Sequence, residues 1–277
     1  MQLALYVRDI LRLPIKIVFT SAAQRLHSRW PRWLISRMDA VIATTQAAAS
    51  YVNNTVATIP HGVDTTRFTP SQNRTDDWAK SGYPGSCGIA CIGRIRPEKG
   101  TDRFVDTAIQ ALQQKANLTA LVIGKATREH TAFLAKLKQQ VANAGLAEKI
   151  LFIGEASPED LPGLLRSLSL LVALPRYEGY GMTPLEAMAS GVPIIASDTG
   201  HFQEFIGNND AGFIIPLGDA EKASATILKL LQNKNIYQSM AKRCVVRAHE
   251  QFNVTSEARD IAAVYSKLWR NAPSRDL

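Results

Sequence analysis

The run Leu168-Ser169-Leu170-Leu171-Val172-Ala173-Leu174-Pro175, followed by Glu178-Gly179-Tyr180-Gly181-Met182-Thr183-Pro184-Leu185-Glu186, reads as a buried strand that enters a glycine turn and leaves it as a helix. The expected helix has Thr183 as N-cap, Pro184 at its first position and Glu186 three residues past the cap. Such a turn presents free backbone N–H groups and the positive end of a helix dipole, which suits a phosphate. Gly179 and Gly181 let the backbone approach a ligand closely. Glu178 and Glu186 repel phosphate and are suited instead to accepting hydrogen bonds from hydroxyls. Phosphate donors beside hydroxyl acceptors describe a nucleotide-sugar pocket. The competing reading leaves Glu178 as a solvated loop acid and makes Glu186 the partner of Thr183 in a capping box.

A second strand and turn supply positive charge. Cys87-Gly88-Ile89-Ala90-Cys91-Ile92 is apolar, bounded by Gly85 and Gly93, and feeds Gly93-Arg94-Ile95-Arg96-Pro97-Glu98-Lys99-Gly100 before a helix at Thr101 or Asp102. Arg94 and Lys99 therefore sit at the carboxyl end of a strand, where open α/β sheets bind ligands. A planar guanidinium and a point ammonium suit a diphosphate and would stabilise a departing nucleoside diphosphate. Arg96 and Glu98 read as an ordinary charged turn.

Outward from these turns, strands and helices alternate: strands at 87–92, 118–123, 149–153, 168–174 and 192–197, with helices at 101–115, 128–144, 158–167 and 184–190 between or after them. This pattern implies a parallel sheet covered on both faces. Gly124 and Phe152-Ile153-Gly154 end neighbouring strands, where their backbones would meet ribose and base. Before residue 68 the pattern gives a helix at 2–13, strands at 15–20, 39–44 and 55–59, and a helix at 45–53. Residues 69–86, rich in Ser, Asn, Asp, Gly and Pro, read as a linker, and three helices at 219–232, 234–250 and 255–270 close the chain.

The chain has 277 residues, 46% of them hydrophobic, which is ample for one or two cores. No apolar run reaches the roughly 20 residues of a membrane span. Arg8, Asp9 and Arg12 break up any signal-peptide core. Its three cysteines make no disulfide framework, and they fit reduced thiols in the cytoplasm. The net charge of +8 is concentrated at the start: Arg8, Arg12, Lys16, Arg25, Arg29, Arg32 and Arg37 face one acid, Asp9, within residues 1–37. Arginines interleaved with Trp30 and Trp33 suit an anionic membrane surface, the alternative being a solvated basic helix face. No nucleic-acid-binding motif accompanies this charge.

Gly-Arg-(four residues)-Lys-Gly at 93–100, followed about eighty residues later by Glu-Gly-x-Gly-x-x-Pro-Leu-Glu at 178–186, resembles glycosyltransferase family 4. The stretch from Tyr177 to Ile195 looks most like lipopolysaccharide core mannosyltransferases. The resemblance covers roughly residues 55–270 and implies an α/β chain of the GT-B type: two Rossmann-like domains, the N-terminal one incomplete here. It divides the chain into a partial acceptor-side domain (1–68), a linker (69–86), a donor-binding domain (87–254) and a C-terminal helix (255–277) that crosses back.

The implied reaction is retaining transfer of a sugar, mannose from GDP-mannose, onto a lipopolysaccharide core or other lipid-linked acceptor at the inner face of the cytoplasmic membrane. Residue by residue, Gly93, Arg94 and Lys99 would hold the donor diphosphate. Glu186 would take the ribose and Glu178 the hydroxyls of the transferred sugar. Gly179, Tyr180, Gly181, Met182 and Thr183 would cap the phosphates with their N–H groups. The absence of Asp-x-Asp agrees with transfer that needs no metal or other cofactor. His61-Gly62-Val63-Asp64 with Phe68 matches the family's exit from its first domain.

Departures stand beside these matches. Fewer than 70 residues precede the linker, too few for a full first domain. The family's histidine after the strand at 15–20 is replaced by Ala22-Ala23-Gln24, the nearest histidine being His27. Arg176 stands where a small residue is usual, and Gly200-His201 where Gly-Gly is common, with His201 and Glu204 opening a short helix. These departures leave room for a second reading, a nucleotide-sugar-binding chain without turnover.

Overall fold

All pairing between strands is parallel, as expected of apolar runs separated by helices. The computed structural model describes residues 1–114 and 117–270. The ends of the expected helix 101–115 and of the expected segment 255–277 lie outside these residues. The chain divides into two units, Met1–Gly62 with Phe252–Leu277, and Val63–Gln251. It passes between them after Gly62 and again after Gln251.

The first unit starts with α1 (Gln2–Leu5), which runs into a π-helical turn over Tyr6–Ile10. Then come β1 (Val18–Ser21), α2 (Arg29–Ser36), β2 (Ala40–Ala43), α3 (Gln46–Ala49) and β3 (Thr55–Thr58), forming a sheet in the order β1-β2-β3. Asp39 ties the start of the chain to this sheet. Its carboxylate accepts from Arg8 Nη1 at 2.8 Å and from the Ile17 N–H at 2.8 Å, with Lys16 at 3.6 Å. Leu5, Ile17, Leu34 and Met38 pack together beneath that contact. Helix α2 falls within the basic aromatic segment, for which a solvated helix face was the alternative to a membrane surface. Leu34 and Ile35 are its buried side, while Trp30 and Trp33 stack outside at 5.1 Å.

In the second unit, residues 69–86 prove to be more than a linker, because α4 (Arg74–Lys80) forms there. Asn73 caps it by accepting from the Asp76 N–H, and Asp76 and Asp77 complement its dipole. Trp78 is 2% exposed, and Arg74 donates to the carbonyls of Arg166, Ser190 and Gly191 and to the Tyr237 hydroxyl. A polar composition hid a helix whose few anchoring side chains do the packing.

After it follow β4 (Gly88–Ile92), α5 (Thr101–Gln113), β5 (Thr119–Ile123), α6 (Thr131–Asn143), β6 (Ile150–Gly154), α7 (Leu161–Ser167) and β7 (Leu170–Ala173). Next are α8 (Met182–Ala189), β8 (Ile194–Ser197), α9 (Phe202–Ile206), β9 (Gly212–Ile215), α10 (Ala220–Gln232) and α11 (Lys234–Gln251). The last helix, α12 (Val254–Arg270), belongs to the first unit. Strand β9 is the one strand of this sheet that the alternation in the sequence did not indicate.

The second sheet has the order β6-β5-β4-β7-β8-β9. Ile89, Val122, Leu170 and Ile195 from its strands pack with Phe104 of α5 and Ile227 of α10 in one core. Chain order reverses between β4 and β7, which pair directly through Ile89↔Leu170 and Ala90↔Leu171. In doubly wound sheets ligands bind outside the carboxyl ends of the strands at such a reversal. Both sequence motifs follow these two strands. No described helix is long and apolar enough to cross a membrane.

Candidate active site

The loops after β4 and β7 are stitched together contact by contact. The Lys99 ammonium lies 2.6 Å from Glu178 Oε2, and Glu178 Oε1 accepts from the Gly179 N–H at 3.1 Å. Three residues past β7, the Arg176 N–H donates to the Glu98 carbonyl at 2.9 Å. Its guanidinium also grips Asp102 at the start of α5 through both carboxylate oxygens, at 2.8 and 2.6 Å, and donates to the Pro97 carbonyl. Burial pushes the Asp102 carboxyl up, but the Arg176 bonds and charge carry it below the usual carboxylate range. The arginine standing in place of a small residue thus has a positional reason.

Gly100 fixes how close the loops come. Its φ is 68°, and a Cβ there would sit 1.8 Å from the Leu174 carbonyl oxygen. Only glycine meets both conditions.

Helix α8 begins one residue before the predicted N-cap. Gly181 (φ 95°) is its N-cap, Met182 and Thr183 are its first two residues, and no side chain caps it. Pro184 is therefore third rather than first. Glu186 lies too far along the helix for a capping box, which removes the structural role that competed for it. Glu186 is half-buried, and burial pushes its carboxyl above the ordinary range, against the pull of Arg67. Holding an acid there costs stability. Gly181 also sits within reach of Glu178: a Cβ at Gly181 would lie 3.4 Å from Glu178 Cγ and 2.7 Å from the Phe202 ring.

Lys99, Glu178, Gly179 and Gly181 are therefore brought together. Gly93 and Arg94 are exposed on the same β4 loop, but no described hydrogen bond or ion pair joins the Arg94 side chain to the β7 motif. Glu186 is likewise unbonded to Lys99 or Glu178 among the described side chains. Tyr180 is buried rather than turned to solvent. It stacks on His201 at 5.2 Å and meets Phe205 edge-on at 5.1 Å. Burial holds the His201 imidazole below its usual range, with Glu204 opposing at 3.3 Å. Gly124 and Gly154 close their strands, and the Gly124 N–H is already donated to the Gly154 carbonyl at 2.7 Å.

Sequence reasoning missed Arg67, the Arg176–Asp102 clamp and the support under Tyr180. The motif offered a signal for the third alone, since an aromatic residue between two glycines needs something to pack on. Chemically, the site offers one ammonium, one exposed guanidinium, free first-turn amides and two carboxylates, all at the carboxyl ends of adjacent strands.

The sequence profile of the family described as "Glycosyl transferases group 1" matches residues 78–247. The chain is 42% identical, over 96% of its length and 76% of the relative, to the lipopolysaccharide core biosynthesis mannosyltransferase LpsB of Rhizobium meliloti strain 1021. Among solved structures, it resembles the C-terminal domain of a glycosyl transferase group 1 family protein (LpcC) from Francisella tularensis. There the identity is 33% and the TM-score 0.66, covering 70% of this chain and all of that one. The Anabaena HepE protein in complex with UDP and glucose shares the fold at TM-score 0.82 and 23% identity, over 96% of this chain and 76% of that one.

Proposed function

Because this chain belongs to the group 1 glycosyl transferases, we propose that it transfers mannose from GDP-mannose, with retention, to a lipopolysaccharide core or related lipid-linked saccharide. In this reading Val63–Gln251 is the donor unit and the other unit serves the acceptor. The observation that carries the site is the 2.6 Å approach of Lys99 to Glu178 across the β4–β7 reversal. Cationic loop and amide turn thereby face one ligand. The relative's name supports the choice of sugar and acceptor class.

Lys99 and Arg94 neutralise the donor diphosphate, and the N–H groups of Met182 and Thr183 cap it at the start of α8. Glu186 accepts from the ribose hydroxyls and Glu178 from those of the transferred hexose. As the bond from the anomeric carbon to the diphosphate breaks, charge builds on the leaving oxygens beside Lys99, which stabilises it. The acceptor hydroxyl attacks the same face, and its proton passes to the departing phosphate oxygen. The protein supplies positioning and countercharge rather than a nucleophile. Residues 10–38 contain no acid, so this basic segment is suited to an anionic inner leaflet where a lipid-linked acceptor would lie.

Titration calorimetry with GDP-mannose and UDP-glucose tests the reading. Arg94→Ala, Lys99→Ala and Glu186→Ala should each weaken GDP-mannose binding by about tenfold, the loss of one charge-assisted contact. Unchanged affinity in all three variants rejects the site, and preference for UDP-glucose rejects the donor.

A further inference from the structure

A cavity of about 350 Å³ lies in the first unit, on the flank formed by α2 and the segment after α3. Its volume falls within the range of small-molecule sites. Right-handed crossovers put α2 and α3 on one face of the three-stranded sheet, so the cavity runs along α2 beside the segment Ser50–Asn53 that follows α3. It shares no residue with the donor loops.

Its lining is cationic and apolar at once. Arg29 and Arg32 are one helical turn apart on α2, and both line it. Neither guanidinium has a described ion-pair or hydrogen-bond partner. No lining residue is an acid. His27 also lines it, and its Nε2 is buried with no hydrogen-bond partner. A buried nitrogen of this kind costs free energy unless something bonds to it. Leu26 and Trp33 complete the rim, 62% and 50% exposed, with Trp30 stacked beside Trp33.

We infer that this cavity binds the phosphate monoester of an anionic amphiphile held in a membrane. Two guanidiniums match a dianion, each offering a planar pair of donors, and the His27 Nε2 adds a third contact. A diester carries one charge and leaves the second arginine uncompensated. The exposed leucine and stacked tryptophans sit where an amphiphile's apolar part begins, the usual place of Trp at a membrane interface. The inference deepens the membrane-facing part of the proposed function, and it concerns recognition of the acceptor's surroundings rather than the donor.

The test is vesicle sedimentation of the full chain without donor or acceptor. Phosphatidylcholine vesicles carry either phosphatidic acid, a monoester, or phosphatidylglycerol, a diester, at equal surface charge. The protein should bind the phosphatidic acid vesicles about tenfold more tightly, the worth of one further charge-assisted contact. Arg29→Gln/Arg32→Gln should erase that preference. Arg12→Gln/Lys267→Gln, which removes the same charge from the same unit, should keep it. Millimolar inorganic phosphate should compete with phosphatidic acid for the parent protein and fail to affect the cavity variant. Equal binding to both vesicles, or equal loss in both double variants, overturns the inference while leaving general membrane docking standing. Binding to neither overturns both. Competition by phosphate that is the same in parent and cavity variant places the phosphate site elsewhere and also overturns it. Unchanged circular dichroism and GDP affinity in the variants establish that they are folded.

Discussion

Replacing Glu178 by Gln separates the two partners of Lys99. In the structure the Glu178 carboxylate lies 2.6 Å from the Lys99 ammonium, with side chains 18% and 27% exposed, so solvent screens the pair only in part. A hydrogen bond to a charged group contributes about 1.5–3 kcal/mol net. Gln keeps an acceptor but loses the charge, which removes roughly half of that. A diphosphate that engages Lys99 must compete with the carboxylate, so Glu178→Gln should bind GDP about five- to tenfold more tightly. GDP-mannose should gain less, because the same carboxylate is assigned to the hexose hydroxyls, and transfer should slow. Calorimetric titration of GDP and GDP-mannose at low ionic strength reads both effects. Lys99→Met in the same background should abolish the gain, the signature of a coupled pair. A GDP affinity that is unchanged or weaker in Glu178→Gln, or a gain that survives without Lys99, refutes the reasoning.

Two further outcomes follow from the same geometry. Gly100→Ala places a Cβ 1.8 Å from the Leu174 carbonyl and strains a φ of 68°, so it should cost about 3 kcal/mol or more in urea unfolding; a cost below about 1 kcal/mol would mean the two loops are not held so close. Burial raises the Glu186 carboxyl above its ordinary 4.5, so the unfolded chain releases this proton first as pH rises. Stability is therefore full below pH 4.5 and declines above it, and Glu186→Gln should escape the decline while losing donor affinity. Melting temperatures should diverge in favour of Glu186→Gln between pH 4 and 7. A difference constant with pH would contradict the assigned burial.

How far the chain could be read in advance varied with the reach of the interactions involved. Buried parallel strands such as Thr119–Ile123 are continuous apolar runs, so alternation alone indicated the doubly wound sheet. Lys99 and Glu178 were legible because each lies in a glycine-bracketed turn after a strand, and strand order then had to bring them together. Arg176 was not legible: its partner, Asp102, is 74 residues away, and nothing local marks the pair. The start of α8 was misplaced by two residues because Thr183-Pro184 imitates a cap, whereas Gly181 with positive φ takes that place. Helix α4 was hidden because Trp78 alone carries its buried face, and α2 because it buries only Leu34 and Ile35 beside two arginines and two exposed tryptophans. The cationic cavity along α2 depends on where a helix and a distant loop meet, which composition alone does not specify.

In the proposed reaction a single diphosphate is shared by the β4 and β7 loops. A crystal structure of the protein with GDP tests this most directly. It should show the diphosphate within hydrogen-bond distance of Lys99 Nζ and of the Met182 and Thr183 N–H groups together, with Glu178 displaced from Lys99. A diphosphate held by only one of the two loops, or bound elsewhere with the Lys99–Glu178 contact intact, would contradict it.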